Sequence, residues 1–123
     1  MEKTNTFQDL VVWQKGHQFV LEVYKITKQF PKEEIYGLTS QFRRAAISIT
    51  ANIAEGYKRL SYKEKLRFYN IAQASLEECK YFLILSRDLE YTDQFQKLND
   101  LINEVSKMLN SYCRNIANKN NYS

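Results

Sequence analysis

From Val12 onward the apolar residues recur at steps of three and four: Val12, Gly16, Phe19, Val23, Ile26 and Phe30, with Trp13, Val20 and Tyr24 widening the stripe. A stripe of that period lies along one face of an α-helix, so the pattern predicts a first helix closed by Pro31. A second stripe, Leu38, Phe42, Ala45, Ile49, Ile53 and Gly56, predicts a second helix that Gly56 ends, with an earlier turn at Lys32 to Tyr36. Ser61 and Glu64 then stand at the spacing of a reciprocal capping box, where a third helix starts. Its core row is Phe68, Ala72, Ser75, Cys79 and Phe82, continued by Leu85 and Leu89. Thr92 is the expected N-cap of a fourth helix that carries Leu98, Ile102, Val105, Leu109, Tyr112 and Ile116.

Helices over about 8–30, 38–57, 62–89 and 93–117, joined by short loops, predict an all-α fold, an up-down-up-down antiparallel four-helix bundle. Residues 1–123 then make a single domain with frayed termini. One apolar stripe per helix suffices for a bundle, yet helix one offers nearly two, and Leu101 and Met108 widen helix four. The surplus either flanks the same core or covers a contact between subunits.

Composition supports this picture without changing it. A chain of 123 residues removes roughly two thirds of its surface from water on folding, so the core needs neither metal nor disulfide. Three glycines and one proline leave little punctuation for a β architecture. No apolar run reaches the roughly 20 residues that span a bilayer, and the polar start lacks the apolar region of a signal peptide, so a cytoplasmic protein is expected. If helices three and four turn near Glu90, Cys79 lies roughly 16 Å of helix away from Cys113. That exceeds the ~7 Å reach of a disulfide, which predicts two free thiols.

Net charge is only +4, so its placement matters more than its size. The turn between helices two and three concentrates Lys58, Arg59, Lys63, Lys65 and Arg67 against the single acid Glu64, with Tyr57, Tyr62 and Tyr69 among them. Cations that contact phosphates, interleaved with rings that stack on unpaired bases, form a sensible surface for RNA. Helix two also carries a polar row, Gln41, Arg44, Ser48, Asn52, Glu55 and Arg59, beside its apolar stripe. Polar groups so near a core need partners, and antiparallel register sets Gln41 and Arg44 opposite Ala74 to Glu78. An ion pair of Arg44 with Glu77 or Glu78 is therefore expected. The row is either a buried network that fixes register or a subunit contact, or an exposed ligand-binding strip.

Catalysis finds little support in these residues. His17 is the only histidine and reads as a surface or edge residue. There is no Glu-x-x-His motif for a di-iron bundle and no glycine-rich phosphate loop. Glu77 and Glu78 are adjacent and point about 100° apart on a helix, a poor acid-base pair. No catalytic residue, metal or other cofactor is expected.

Three stretches carry a family resemblance: Leu10-Val-Val-Trp-Gln14, Phe30-Pro-Lys-Glu-Glu-Ile-Tyr-Gly-Leu38, and Gln41-Phe-Arg-Arg-Ala-Ala-Ile-Ser-Ile-Thr-Ala-Asn-Ile-Ala-Glu-Gly56. Together they resemble the four-helix bundle proteins encoded by intervening sequences of bacterial large-subunit ribosomal RNA genes. The combination of Gln41-x-Arg-Arg44 with Asn52-Ile-Ala-Glu-Gly56 is its most specific part. Thr50 departs from a proline that the family favours, and Gln73-Ala-Ser75 departs from its usual Arg-Gly-Ser. The resemblance implies a four-helix protomer in a ring-shaped homopentamer. It extends to the accessory variability protein of diversity-generating retroelements, a basic pentamer that associates with a reverse transcriptase and nucleic acid.

These readings lead to one expectation and one rival. The expectation is a non-catalytic homo-oligomer that binds RNA or a nucleic-acid-processing protein through Lys58, Arg59, Lys63, Lys65 and Arg67, with Tyr57 and Tyr62 stacking. The rival is a protein-interaction scaffold without a nucleic-acid role, docking partners on the Gln41 to Arg59 strip and spare apolar faces.

Overall fold

The computed structural model describes residues 3–119. A 3-10 turn, Phe7–Asp9, leads into α1 (Val11–Thr27), and a second, Lys32–Glu34, precedes α2 (Leu38–Lys58). Helices α3 (Tyr62–Asp88) and α4 (Phe95–Lys119) follow. Each helix packs on its neighbours in sequence, α1 closes the ring against α4, and neither diagonal pair comes into backbone contact. The chain is an antiparallel up-down-up-down four-helix bundle, and among the described residues no helix is long and apolar enough to cross a membrane.

The predicted stripes meet on the bundle axis. Phe19, Phe42, Ile49, Ile53, Leu98, Ile102, Val105 and Leu109 are fully buried. Phe42 is the hub, its ring centroid 6.5 Å from Phe19 and 5.9 Å from Phe82. Each such side chain contributes roughly 1.5–3 kcal/mol by leaving water. Trp13, Tyr24, Leu101 and Met108 are half-buried against this same core, so the surplus apolar width flanks one core.

Several boundaries differ from the expectation for local reasons. Helix α1 begins at Val11, after an extended Leu10, and stops at Thr27. The residue before a proline avoids helical backbone. The chain therefore tightens ahead of Pro31, with the Gln29 and Phe30 amides donating to Ile26 and Thr27 carbonyls (3.0 and 3.2 Å), and Phe30 returns to the core. Thr92 is not the cap of α4, which starts at Phe95; its hydroxyl accepts instead from the Gln94 amide at 3.1 Å. At α3 only half of the capping box forms. Ser61 Oγ accepts from the Glu64 amide at 3.1 Å, while the Glu64 carboxylate turns to Arg67 at 3.3 Å.

Gly56 does not end α2, which runs on to Lys58, and it has no positive φ. Its purpose is clearance: a Cβ there would lie 2.6 Å from the Tyr69 ring of α3. The positive φ falls on Glu90 (62°), where the Tyr91 amide donates to Ser86 O and the Glu90 amide to Arg87 O, both at 2.9 Å. That pair of bonds is a Schellman ending with a side chain where glycine is usual. The tail expected to fray, from Asn118, is helical through Lys119 and otherwise lies outside the described residues.

Candidate nucleic-acid interface at the basic end of the bundle

Antiparallel packing brings the end of α2, the start of α3, the end of α4 and the segment before α1 to one end of the bundle. That end holds eight cations, Lys3, Lys58, Arg59, Lys63, Lys65, Arg67, Arg114 and Lys119, against three described acids, Asp9, Glu55 and Glu64. At the other end six cations, Lys25, Lys28, Lys32, Arg43, Arg87 and Lys97, face seven acids, Glu22, Glu33, Glu34, Asp88, Glu90, Asp93 and Asp100. The bundle is thus polarised along its axis, which a net charge of +4 conceals.

Within the basic end the predicted residues divide by what they touch. The Lys65 ammonium donates to the last carbonyls of α2, Gly56 O at 3.1 Å and Tyr57 O at 2.6 Å. A cation there complements the helix dipole, so Lys65 is a cap, and partial burial lowers its pKa. Tyr57 is half-buried: its hydroxyl donates to Thr4 Oγ1 at 2.9 Å, and the Lys65 ammonium lies 5.6 Å from its ring centre. Arg59 pairs with Glu55 at 3.0 Å and Arg67 with Glu64 at 3.3 Å. Both guanidinium carbons lie 4.5 Å from the centre of the Phe68 ring. Lys58, Tyr62 and Lys63 are exposed and have no side-chain partner among the described residues. Tyr69 is buried beneath the turn, and burial, with Cys113 and Tyr57 nearby, pushes its hydroxyl up to about 12.

The sequence reading missed four contributors here. Phe68, a member of the predicted core row, is half-buried and carries both arginines. Lys3 joins the turn because the segment before α1 meets the end of α2, where Thr4 bonds Tyr57, and Arg114 and Lys119 join it because α4 returns antiparallel to α3. Charge counted along the folded-back helices would have found them; charge counted along the chain does not.

The polar row of α2 splits in two. Ser48 Oγ accepts from Asn52 Nδ2 at 3.0 Å and from Ser75 Oγ at 2.8 Å, a half-buried bridge that ties α2 to α3. Gln41, Arg44, Glu55 and Arg59 face solvent. The expected pair of Arg44 with Glu77 or Glu78 does not form. Glu77 pairs with Lys80 at 3.1 Å, while Arg44 and Glu78 line a shallow cleft of about 280 Å³ without an ion pair. An exposed pair gains little over two hydrated ions, and the serine bridge already fixes the register.

The remaining candidates stay apart. His17 is exposed, its ring stacked on Trp13 at 5.0 Å. Cys79 and Cys113 are free, and burial raises both thiols. Among the described residues no cluster of three His, Cys, Asp or Glu side chains could hold a metal ion.

Fold and geometry together define a small four-helix bundle with one cationic end. The chain belongs to the 23S rRNA-intervening sequence protein family, whose model matches residues 8–111. A solved structure from Bacteroides thetaiotaomicron, described as a protein of unknown function from the S23 ribosomal protein family, is similar over 85% of this chain and 96% of its own. It shares 28% sequence identity, with a TM-score of 0.78. No curated protein matches the chain.

Proposed function

We propose that the protein is a non-catalytic, self-associating cytoplasmic bundle that binds RNA, alone or in a nucleoprotein partner, through its basic end. The observation that carries this reading is the excess of cations at that end, with Lys58 and Lys63 unpartnered and exposed. Such a patch attracts a polyanion and releases its counterions. The family is named for an intervening sequence of 23S rRNA and the neighbour, itself of unknown function, for a ribosomal protein family, names that fit an RNA context.

Self-association is supported by exposed apolar side chains on the outer faces of three helices, Leu21, Ile47, Tyr81 and Ile84. The resemblance suggests a ring of five copies, in which weak patches gain avidity. Native mass spectrometry counts the copies, and a monomer at micromolar concentration would remove this element. RNA affinity measured against salt tests the binding: log K should fall steeply with log salt, and more gently after Lys58→Ala with Lys63→Ala. A flat response ends the proposal.

One observation favours a second reading, a protein scaffold: Gln41, Arg44 and Glu78 present unpaired polar groups beside a cleft. A partner captured by this protein and retained after nuclease treatment, but lost with Arg44→Ala, would support it.

A further inference from the structure

From the disposition of rings and cations at the basic end, and resting on the reading above, we infer that this surface grips the phosphate backbone of base-paired nucleic acid and does not stack unpaired bases.

Recognition of an unpaired strand relies on open aromatic faces on which successive bases lie. Here the rings are closed. Tyr57 is held by Thr4 and faces the Lys65 ammonium. Phe68 carries two guanidinium groups, each 4.5 Å from its centre. Tyr69 is buried, its ring filling the space that Gly56 leaves. Among the described rings of the turn, Tyr57, Tyr62, Phe68 and Tyr69, only Tyr62, 42% exposed, keeps a free face, and one ring does not make a platform for consecutive bases.

The cations show the opposite arrangement. Lys58 and Lys63 project without partners from the two sides of the turn. Arg59 and Arg67 are ordered on Phe68 by exposed pairs with Glu55 and Glu64, pairs weak enough to exchange for phosphate. Guanidinium groups already ordered lose little freedom when they bind. Lys63 and Arg67 lie one helical turn apart, roughly 6 Å along α3. The result is a set of fixed and free donors around closed rings, which suits a paired helix whose bases are turned inward and whose phosphates are outside. A duplex also carries a higher charge density than a single strand, which strengthens counterion release.

The test compares two fluorescent RNA probes on the full-length protein by anisotropy: a duplex of about 16 base pairs, near the footprint of a small duplex-binding domain, and an unpaired strand of equal length. The duplex should bind at least about fivefold tighter at equal salt, as its denser charge dictates. Lys58→Ala and Lys63→Ala should each flatten its log K against log salt slope by about one. Tyr62→Ala should change affinity for either probe less than about twofold, whereas loss of a stacking ring costs roughly five- to a hundredfold. Equal affinity for the probes, or preference for the unpaired strand with a large loss on Tyr62→Ala, overturns this inference and leaves RNA binding standing. Failure of both probes to bind protein that circular dichroism shows to be helical overturns the inference and the RNA-binding proposal together.

Discussion

The two ends of the bundle are built from the same kind of material, charged turns with tyrosines, and use it in opposite ways. At the acidic end the loops are tied to each other. The Tyr91 hydroxyl after α3 donates to Glu34 Oε2 at 2.9 Å, Glu34 Oε1 accepts from the Leu38 amide at 3.2 Å, and the Tyr91 ring packs on Phe30 at 5.2 Å. That carboxylate thus joins two connections and starts α2, and the hydrogen bond it accepts holds the Tyr91 hydroxyl above its ordinary pKa. At the basic end the buried ties fall on Lys65, Tyr57 and Tyr69, the pairs of Arg59 and Arg67 lie at the surface, and Lys58 and Lys63 are left outward. A turn closed on its partners stabilises the fold; a turn with charge left over offers a surface. The ion-pair inventory of the chain alone does not separate the two.

The contrast can be broken most directly at Gly56. Gly56→Ala drives a methyl into Tyr69, a clash of about 3 kcal/mol set against roughly 1 kcal/mol of gained helix propensity, so urea unfolding should show a net loss of about 2 kcal/mol. No loss would mean that α2 and α3 part easily there. Tyr69 gives the pH counterpart. Its folded pKa of about 12 exceeds the unfolded value of 10.0, so the unfolded chain releases its proton first as pH rises. Stability from this group is complete below pH 10 and is lost between pH 10 and 12, by up to about 2 kcal/mol. Melts of wild type and Tyr69→Phe should keep a constant difference below pH 10 and shift in that window, wild type falling relative to the variant, and curves that stay parallel through it would refute the assignment.

Lys65 and Lys63 sharpen the comparison between cap and surface. Lys65→Met should lower stability by about 1 kcal/mol and leave the salt dependence of RNA binding intact. Lys63→Met should do the reverse. The smallest effect belongs to the acidic end: Glu90→Gly relieves a left-handed side chain and should raise stability by up to about 1 kcal/mol. Calorimetry that shows a lower Tm would place the value of Glu90 in its charge.

Much of the fold was legible. Rows such as Val12 to Phe30 and Leu98 to Ile116 are long, periodic and bounded by turn residues, so helix number, order and inward faces followed from spacing. Endings were less legible, because Thr92, Gly56 and Glu64 each have a residue type that fits a cap and a geometry that decides otherwise. The candidate site was half legible. The cluster from Tyr57 to Arg67 is visible as a run, yet nothing in the run says that Lys65 reaches back to Gly56 or that Arg59 and Arg67 share Phe68. Likewise Ser48 meets Ser75 across two helices, while Arg44 stays in solvent, and spacing along the chain shows neither.

What the chain determined by itself is whatever depends on neighbours three and four residues away: helices, their apolar faces and the family to which the motifs belong. Tertiary structure alone decided which polar groups were consumed in holding the helices together and which remained free. The physical reason is that a hydrogen bond or ion pair acts over a few ångströms in space, and antiparallel packing sets residues as distant as Thr4, Tyr57, Lys65 and Arg114 at one end.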